Sequence, residues 1–202
     1  AVALGVVVGV VAAVNHGKWV DSVLMTISVF GISAPAFWIA IILQIVICLK
    51  FNLLPLSGID SFKSFILPGI ALGTRYAASI ARITRTSMLD VLSQDYIRTA
   101  EAKGLKGWVV TIKHALRNAL IPIITIAGSD LGNILTGSVL VESVFSIPGI
   151  GKMLVDSINT RDLPIVQGGV MYIAVICVIM YLVVDLLYTV VDPRIRLGKE
   201  SS

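Results

Sequence analysis

The sequence predicts an all-α integral membrane protein, a polytopic bundle of about five spanning helices. Three observations carry that reading. Of the 202 residues, 56% are hydrophobic and only 14% charged, whereas soluble domains carry about 25% charged residues. Mean hydropathy is +0.94. The apolar residues also gather in long runs, and runs of that length suit spanning helices rather than the strands of a closed barrel. The net charge of +4 forms no basic stripe on a soluble surface, so nucleic acid is not an indicated partner. In a membrane chain the basic residues report orientation instead.

The first run, AVALGVVVGVVAAV at 1–14, is shorter than the roughly 20 apolar residues a span requires. It lacks a basic start, and no small-residue cleavage pattern follows, so it is expected to be a partial spanning helix rather than a signal-peptide core. Four full spans follow, over 22–49, 66–88, 116–140 and 165–191. Pro122 is expected to bend the start of the fourth. Gly5/Gly9, Gly69/Gly73 and Gly128/Gly132 have the spacing that permits close helix packing. Cys48 and Cys177 fall within apolar runs and read as buried free thiols. His16 and His114 have no partners at metal-ligand spacing and read as solvated, and no metal site is expected.

The segments between spans fix the topology. Segments 15–21, 82–117 and 192–202 share one side and hold eleven Lys and Arg residues, while 50–65 and 141–164 hold four. The richer side is the cytoplasmic one. The loop at about 89–115 and the C-terminal tail at 192–202 are therefore expected in the cytoplasm. Outside, Pro148, Gly149 and Gly151 mark a tight turn, followed by a short surface helix over 152–159.

The loop between the third and fourth spans is the most informative stretch. In DYIRTAEAKGLKGWVVTIKHAL, Asp95 is placed to cap a helix of about two turns from Tyr96 to Lys103. Gly104 suits the position just past its end. Leu105, Trp108, Val109, Ile112 and Leu116 then form one apolar stripe at helical spacing. Ala100, Ala102 and Gly104 carry little bulk, which leaves room for another backbone. A solvated helix resting on lipid head groups would explain this pattern equally well from the residues alone.

The stretch resembles the cytoplasmic signature, the EAA loop, of ABC importer permeases. Counting back from Gly104, the signature positions are Arg98, Thr99 and Ala100. Only Ala100 and Gly104 match the general consensus, and Glu101 is not the signature acid. Arg98 in that place resembles the oligopeptide, dipeptide and nickel branch. ASIARITRTSML, HALRNALIPI, LTGSVLVESVFSIPGIG and VVDPRIR also resemble that branch, in order along the whole chain. The resemblance implies one permease domain over 1–202, with five of the family's six spanning helices and 1–14 as the end of the second. It implies that Asp95, Tyr96, Ile97, Arg98, Thr99, Ala100, Glu101, Ala102, Lys103 and Gly104 form an ATPase-coupling loop. The implied partners are a second homologous permease, two ATP-binding subunits and an extracytoplasmic substrate-binding protein, in a bacterial or archaeal cytoplasmic membrane.

No catalytic residues are expected, and ATP and Mg are expected on the partner subunits. IPGIGKM is only superficially a phosphate loop, because Met153 follows Lys152 and Ser146 stands where a glycine is needed. Four charges lie in or near the spans. At ~1.5 Å per residue, Arg75 and Asp130 reach similar depth near the middle, and Arg82 and Asp185 both lie nearer the cytoplasm. Such residues are functional candidates by default. Arg75 either lines a pathway, where it meets a substrate carboxylate or carbonyl, or pairs structurally. For Arg82 with Asp185, structural neutralisation is the expected role. The function these readings imply is ATP-driven import of peptides or a related small solute by alternating access. The alternative is an ATPase-independent secondary transporter or channel, although neither internal repeats nor paired broken helices are evident.

Overall fold

The structure, a computed structural model, describes the backbone of residues 1–135 and 138–191, with side chains other than those of residues 135, 185 and 187–191. The expected cytoplasmic tail at 192–202 and the side chain of Asp185 lie outside the described residues. Ten α-helices follow one another, with no strand among the described residues. They are α1 (Val2–Val14), α2 (Trp19–Ser33), α3 (Ala36–Leu43), α4 (Ile66–Leu92), α5 (Asp95–Ala102), α6 (Gly107–Val109), α7 (Arg117–Leu135), α8 (Val139–Val144), α9 (Ile150–Asn159) and α10 (Leu163–Val191). Wider π turns extend α3 over Gln44–Lys50 and join α6 to α7 over Val110–Leu116.

The expected second span is not one straight helix. It breaks between Ser33 and Ala36, and the two halves are bent by 100°. Ala34 and Pro35 are both extended, because the proline ring drives the preceding residue out of the helical region and supplies no N–H. Two helices are long and apolar enough to cross a membrane alone, Gly107–Ile134 and Leu163–Val184, and the bent pair makes a third candidate. Pro122 sits inside the first of these without ending it.

Helix α4 has 27 residues, about 40 Å at 1.5 Å per residue. It has the length of a span but carries Arg75, Arg82 and Arg85. It packs against α1, α2, α3, α7 and α8, while Arg75 and Arg82 stay on its exposed side. Its contact with α1 is close: a Cβ on Gly5 would lie 2.6 Å from the Ala77 carbonyl oxygen, and one on Gly9 the same distance from that of Ala81. The Gly5/Gly9 spacing is therefore a packing motif. A Cβ on Gly69 or Gly132 would meet nothing within 4 Å among the described residues, so the spacing of these two serves no contact there.

Two apolar cores form at opposite ends of α4. One joins Ile80 and Met88 to Ala13 of α1, Ile97 and Ala100 of α5, and Val110 and Ala115 in the π turns. The other joins Leu67 and Ala71 to Ala40 of α3, Cys48, and Val141 and Phe145 around α8. Cys48 is buried as expected, whereas Cys177 is only half-buried.

Candidate functional site

The short helix of the charged loop forms where expected, with one correction. Gln94, extended at φ −77° and ψ 148°, is the residue that enters the helix, and Asp95 lies in its first turn. An acid there still complements the helix dipole. At the other end, Gly104 has φ +76°. Its N–H donates to the Glu101 carbonyl at 2.9 Å, and the Leu105 N–H reaches the Ala100 carbonyl at 3.4 Å. This is the double bond pattern of a Schellman stop, which needs a left-handed residue. Nothing among the described residues lies within 4 Å of where a Gly104 Cβ would stand, so within this chain the glycine is required for its backbone angle rather than for close approach.

The helix has two distinct faces. Ile97 is 1% exposed and Ala100 8%, both within the core that holds Met88, Val110 and Ala115. Ala100 is thus small because its own domain closes over it. Asp95, Tyr96, Arg98, Thr99, Glu101, Ala102, Lys103 and Gly104 are exposed. Tyr96 adds a polar tie: its hydroxyl accepts from Asn118 Nδ2 of α7 at 3.1 Å. The expected apolar stripe is mostly the outward face: Leu105, Trp108 and Ile112 are exposed, Leu116 packs partly buried against the core, and the fully buried Val110 and Ala115 lie off the stripe.

The intramembrane charges are only partly brought together. Arg75 is exposed on α4, and its charge interacts with that of Asp130 on α7. No ion pair joins the two among the described residues, and Asp130 Oδ2 is buried without a hydrogen-bond partner among them. Arg82 is exposed beside a groove between α2 and α4, and its expected partnership with Asp185 lies outside the described side chains.

A different charge cluster, unexpected from the sequence, is fully formed. Asp21 of α2 is 4% exposed. Arg85 of α4 grips it with both arms: Nη2 donates to Oδ2 at 2.7 Å and Nε to Oδ1. The Gly17 N–H also donates to Oδ2, at 3.2 Å. His16 is not simply solvated, because its Nδ1 lies 3.0 Å from Arg85 Nη2 and 3.2 Å from Asp21 Oδ2. The α1–α2 turn is thereby fastened to α4. An acid in the first turn of an apolar helix, level with a basic residue on the next span, is the signal the sequence offers.

At the opposite end, α9 starts at Ile150, earlier than expected, with Gly149 as its entry residue. Pro148 and Gly149 precede the helix, and Gly151 lies in its first turn rather than in the expected turn. Gln44, which no sequence pattern singles out, donates from Nε2 to the carbonyls of Leu56 (2.8 Å) and Val144 (2.9 Å). It ties the 51–65 loop to α8.

Among the described residues, the two-faced helix α5 packs at one end of α4 and α8 at the other. The chain belongs to the family described as binding-protein-dependent transport system inner membrane components, whose profile matches residues 5–197. Among its curated relatives are proteins named glutathione transport system permease protein GsiC from Escherichia coli, Shigella dysenteriae and Salmonella typhi. Each is 45% identical over 196 residues, which cover 97% of this chain and 64% of the relative. The chain therefore spans less than two thirds of the length of these relatives.

Proposed function

We propose that this chain is the permease subunit of an ATP-driven ABC importer that moves peptides or a related small solute by alternating access. The observation that carries the proposal is the two-faced helix α5. Its outer face offers Arg98, Glu101 and Lys103 to a partner, while Ile97 and Ala100 are locked into the core at the end of α4. A push on the exposed face then reaches α4 as rigid-body motion. The names of the relatives favour a peptide-like solute, glutathione being a tripeptide.

In this reading α5 and the C-terminus lie in the cytoplasm, in accord with the excess of Lys and Arg on that side. Two ATP-binding subunits, which carry the ATP and Mg, dock on α5. A second homologous permease completes the pathway, and an extracytoplasmic binding protein delivers the solute. Arg75, exposed on a central helix, faces the pathway and meets a carboxylate or carbonyl of the solute, with Asp130 behind it. Residues 1–202 act as one permease domain.

The test is to express the full-length protein with its neighbouring subunits, ask whether an ATPase co-purifies, and measure uptake of labelled glutathione and dipeptides into proteoliposomes. Uptake that needs ATP and the ATPase is the expected result. Uptake that persists without any ATPase refutes the proposal and favours a secondary transporter.

A further inference from the structure

The turn between α8 and α9 holds a carboxylate that the proposed function does not use. Glu142, on α8, reaches across the turn, and its Oε2 accepts the backbone N–H of Lys152 at 2.8 Å. Lys152 is the third residue of α9, so this side chain caps the helix from a neighbouring helix rather than from the preceding residue. The negative charge also sits at the favourable end of the α9 dipole.

The surrounding turn is shaped around that carboxylate. A Cβ on Gly149 would collide with the Glu142 carboxyl group, and one on Gly151 would meet Val139 Cγ2 first, at 2.8 Å, and Glu142 Oε2 at 3.2 Å. Neither glycine has a left-handed backbone, so the space, not the backbone angle, calls for glycine. Further bonds tie the corner together. The Ile147 N–H donates to the Glu142 carbonyl at 2.8 Å, and the Gly58 N–H of the 51–65 loop donates to the Phe145 carbonyl at 3.1 Å.

We propose that Glu142 is a positioning residue: its carboxylate, seated in the cradle of Gly149 and Gly151, clips α9 to α8. Helix α8, the turn and α9 then move as one body with the 51–58 loop. This inference rests on the permease reading only where it touches transport. Helix α8, which packs against α4, would pass a displacement of α4 on to α9 during the cycle.

Ser157, 6% exposed on the packed face of α9, is the reporter. In the full-length protein, assembled with its partners, purified in detergent and stripped of other reactive cysteines, S157C is labelled with a water-soluble maleimide. The expected rate is slow with Glu142 present and at least tenfold faster in E142A. E142Q labels slowly, because its amide oxygen still accepts from Lys152. G149A labels as fast as E142A, because the methyl group expels the carboxylate. The E142A/G149A double variant labels no faster than either single one, since both remove the same contact. Maximal transport rate falls in E142A and G149A and is restored in E142Q, at unchanged half-saturating solute concentration.

Unchanged labelling in E142A and G149A, or effects that multiply in the double variant, overturns the clip whatever transport does. Fast labelling of E142A with an unaltered maximal transport rate upholds the clip and counts against a mechanical role for α9 in the permease.

Discussion

Removing Arg85 should cost more than neutralising its partner, and this asymmetry follows from the burial of the pair. Asp21 is 4% exposed, while the Arg85 side chain is 23% exposed. In Arg85→Ala the carboxylate keeps the Gly17 N–H and the His16 contact but loses both guanidinium bonds. Breaking a buried pair from that side costs about 3–5 kcal/mol. In Asp21→Asn the amide fills the same space, and the guanidinium left behind is partly hydrated. That variant loses charge-assisted bonds worth about 1.5–3 kcal/mol. The double variant should cost less than the two singles together, by roughly 1–3 kcal/mol of coupling. His16→Ala should change stability by under about 1 kcal/mol, because that side chain is 60% exposed and exposed charge contacts are weak. The assay is reversible unfolding of the full-length protein in mixed micelles, followed by tryptophan fluorescence, with Trp19 two residues from Asp21. If Asp21→Asn costs as much as Arg85→Ala, or if the single costs simply add, the pair is not the buried clamp between α2 and α4 described above.

Three further outcomes test the coupling end and the packing. Gly104→Ala should destabilise the loop by about 1–2 kcal/mol, the cost of a left-handed non-glycine residue; Gly104→Asn should cost less, and ATPase co-purification should rank the variants in that order. Ala100→Leu should destabilise the fold by about 1–3 kcal/mol through overpacking, visible as a lowered melting point, whereas Arg98→Glu should leave the melting point intact and weaken ATPase co-purification. Gly9→Val should strain the α1–α4 contact by about 2 kcal/mol or more, on the order of other overpacked sites, while Gly132→Val, which meets open space among the described residues, should be tolerated in an unfolding assay of the isolated chain.

How much of the molecule is legible in the sequence depends on how local each cause is. Helix α5 and its glycine stop are legible because charge pattern, helical spacing and Gly104 all act within ten residues. Even there, the entry residue is Gln94 rather than Asp95, and it enters by its extended backbone with no side-chain cap bond. The break at Pro35 is hidden because the length and apolarity of 22–49 outweigh one proline. Asp21 lies at the edge of a span and merges with the polar segment beside it. Its importance comes from Arg85, 64 positions away, and no local pattern reports that distance. Glu142 escapes notice for a related reason. Pro148 and Gly149 lie before α9, but Gly151 stands inside the helix, and Gly149 has no room for a Cβ because the carboxylate of Glu142, on the preceding helix, occupies it.

The same logic explains why α4 fails as a simple span and yet stands at the centre of the bundle. Helix α4 carries three arginines, a costly load for a helix facing lipid; α1, α2, α3 and α7 pack against it, Arg85 is held by Asp21, and Arg75 and Arg82 lie on its exposed side. Among the described residues, α4 is the element common to both apolar cores: Met88 and Ile80 anchor it at the α5 end, Leu67 and Ala71 at the α8 end. Close-packed cores resist gradual deformation, so displacement of Ile97 and Ala100 must either move α4 bodily or disrupt the first core. The Asp21–Arg85 clamp adds α2 to the same body. Helix α4 is therefore the rod that joins α5 to the α8 end of the bundle, and under the proposed function motion at one end would reach the other through it.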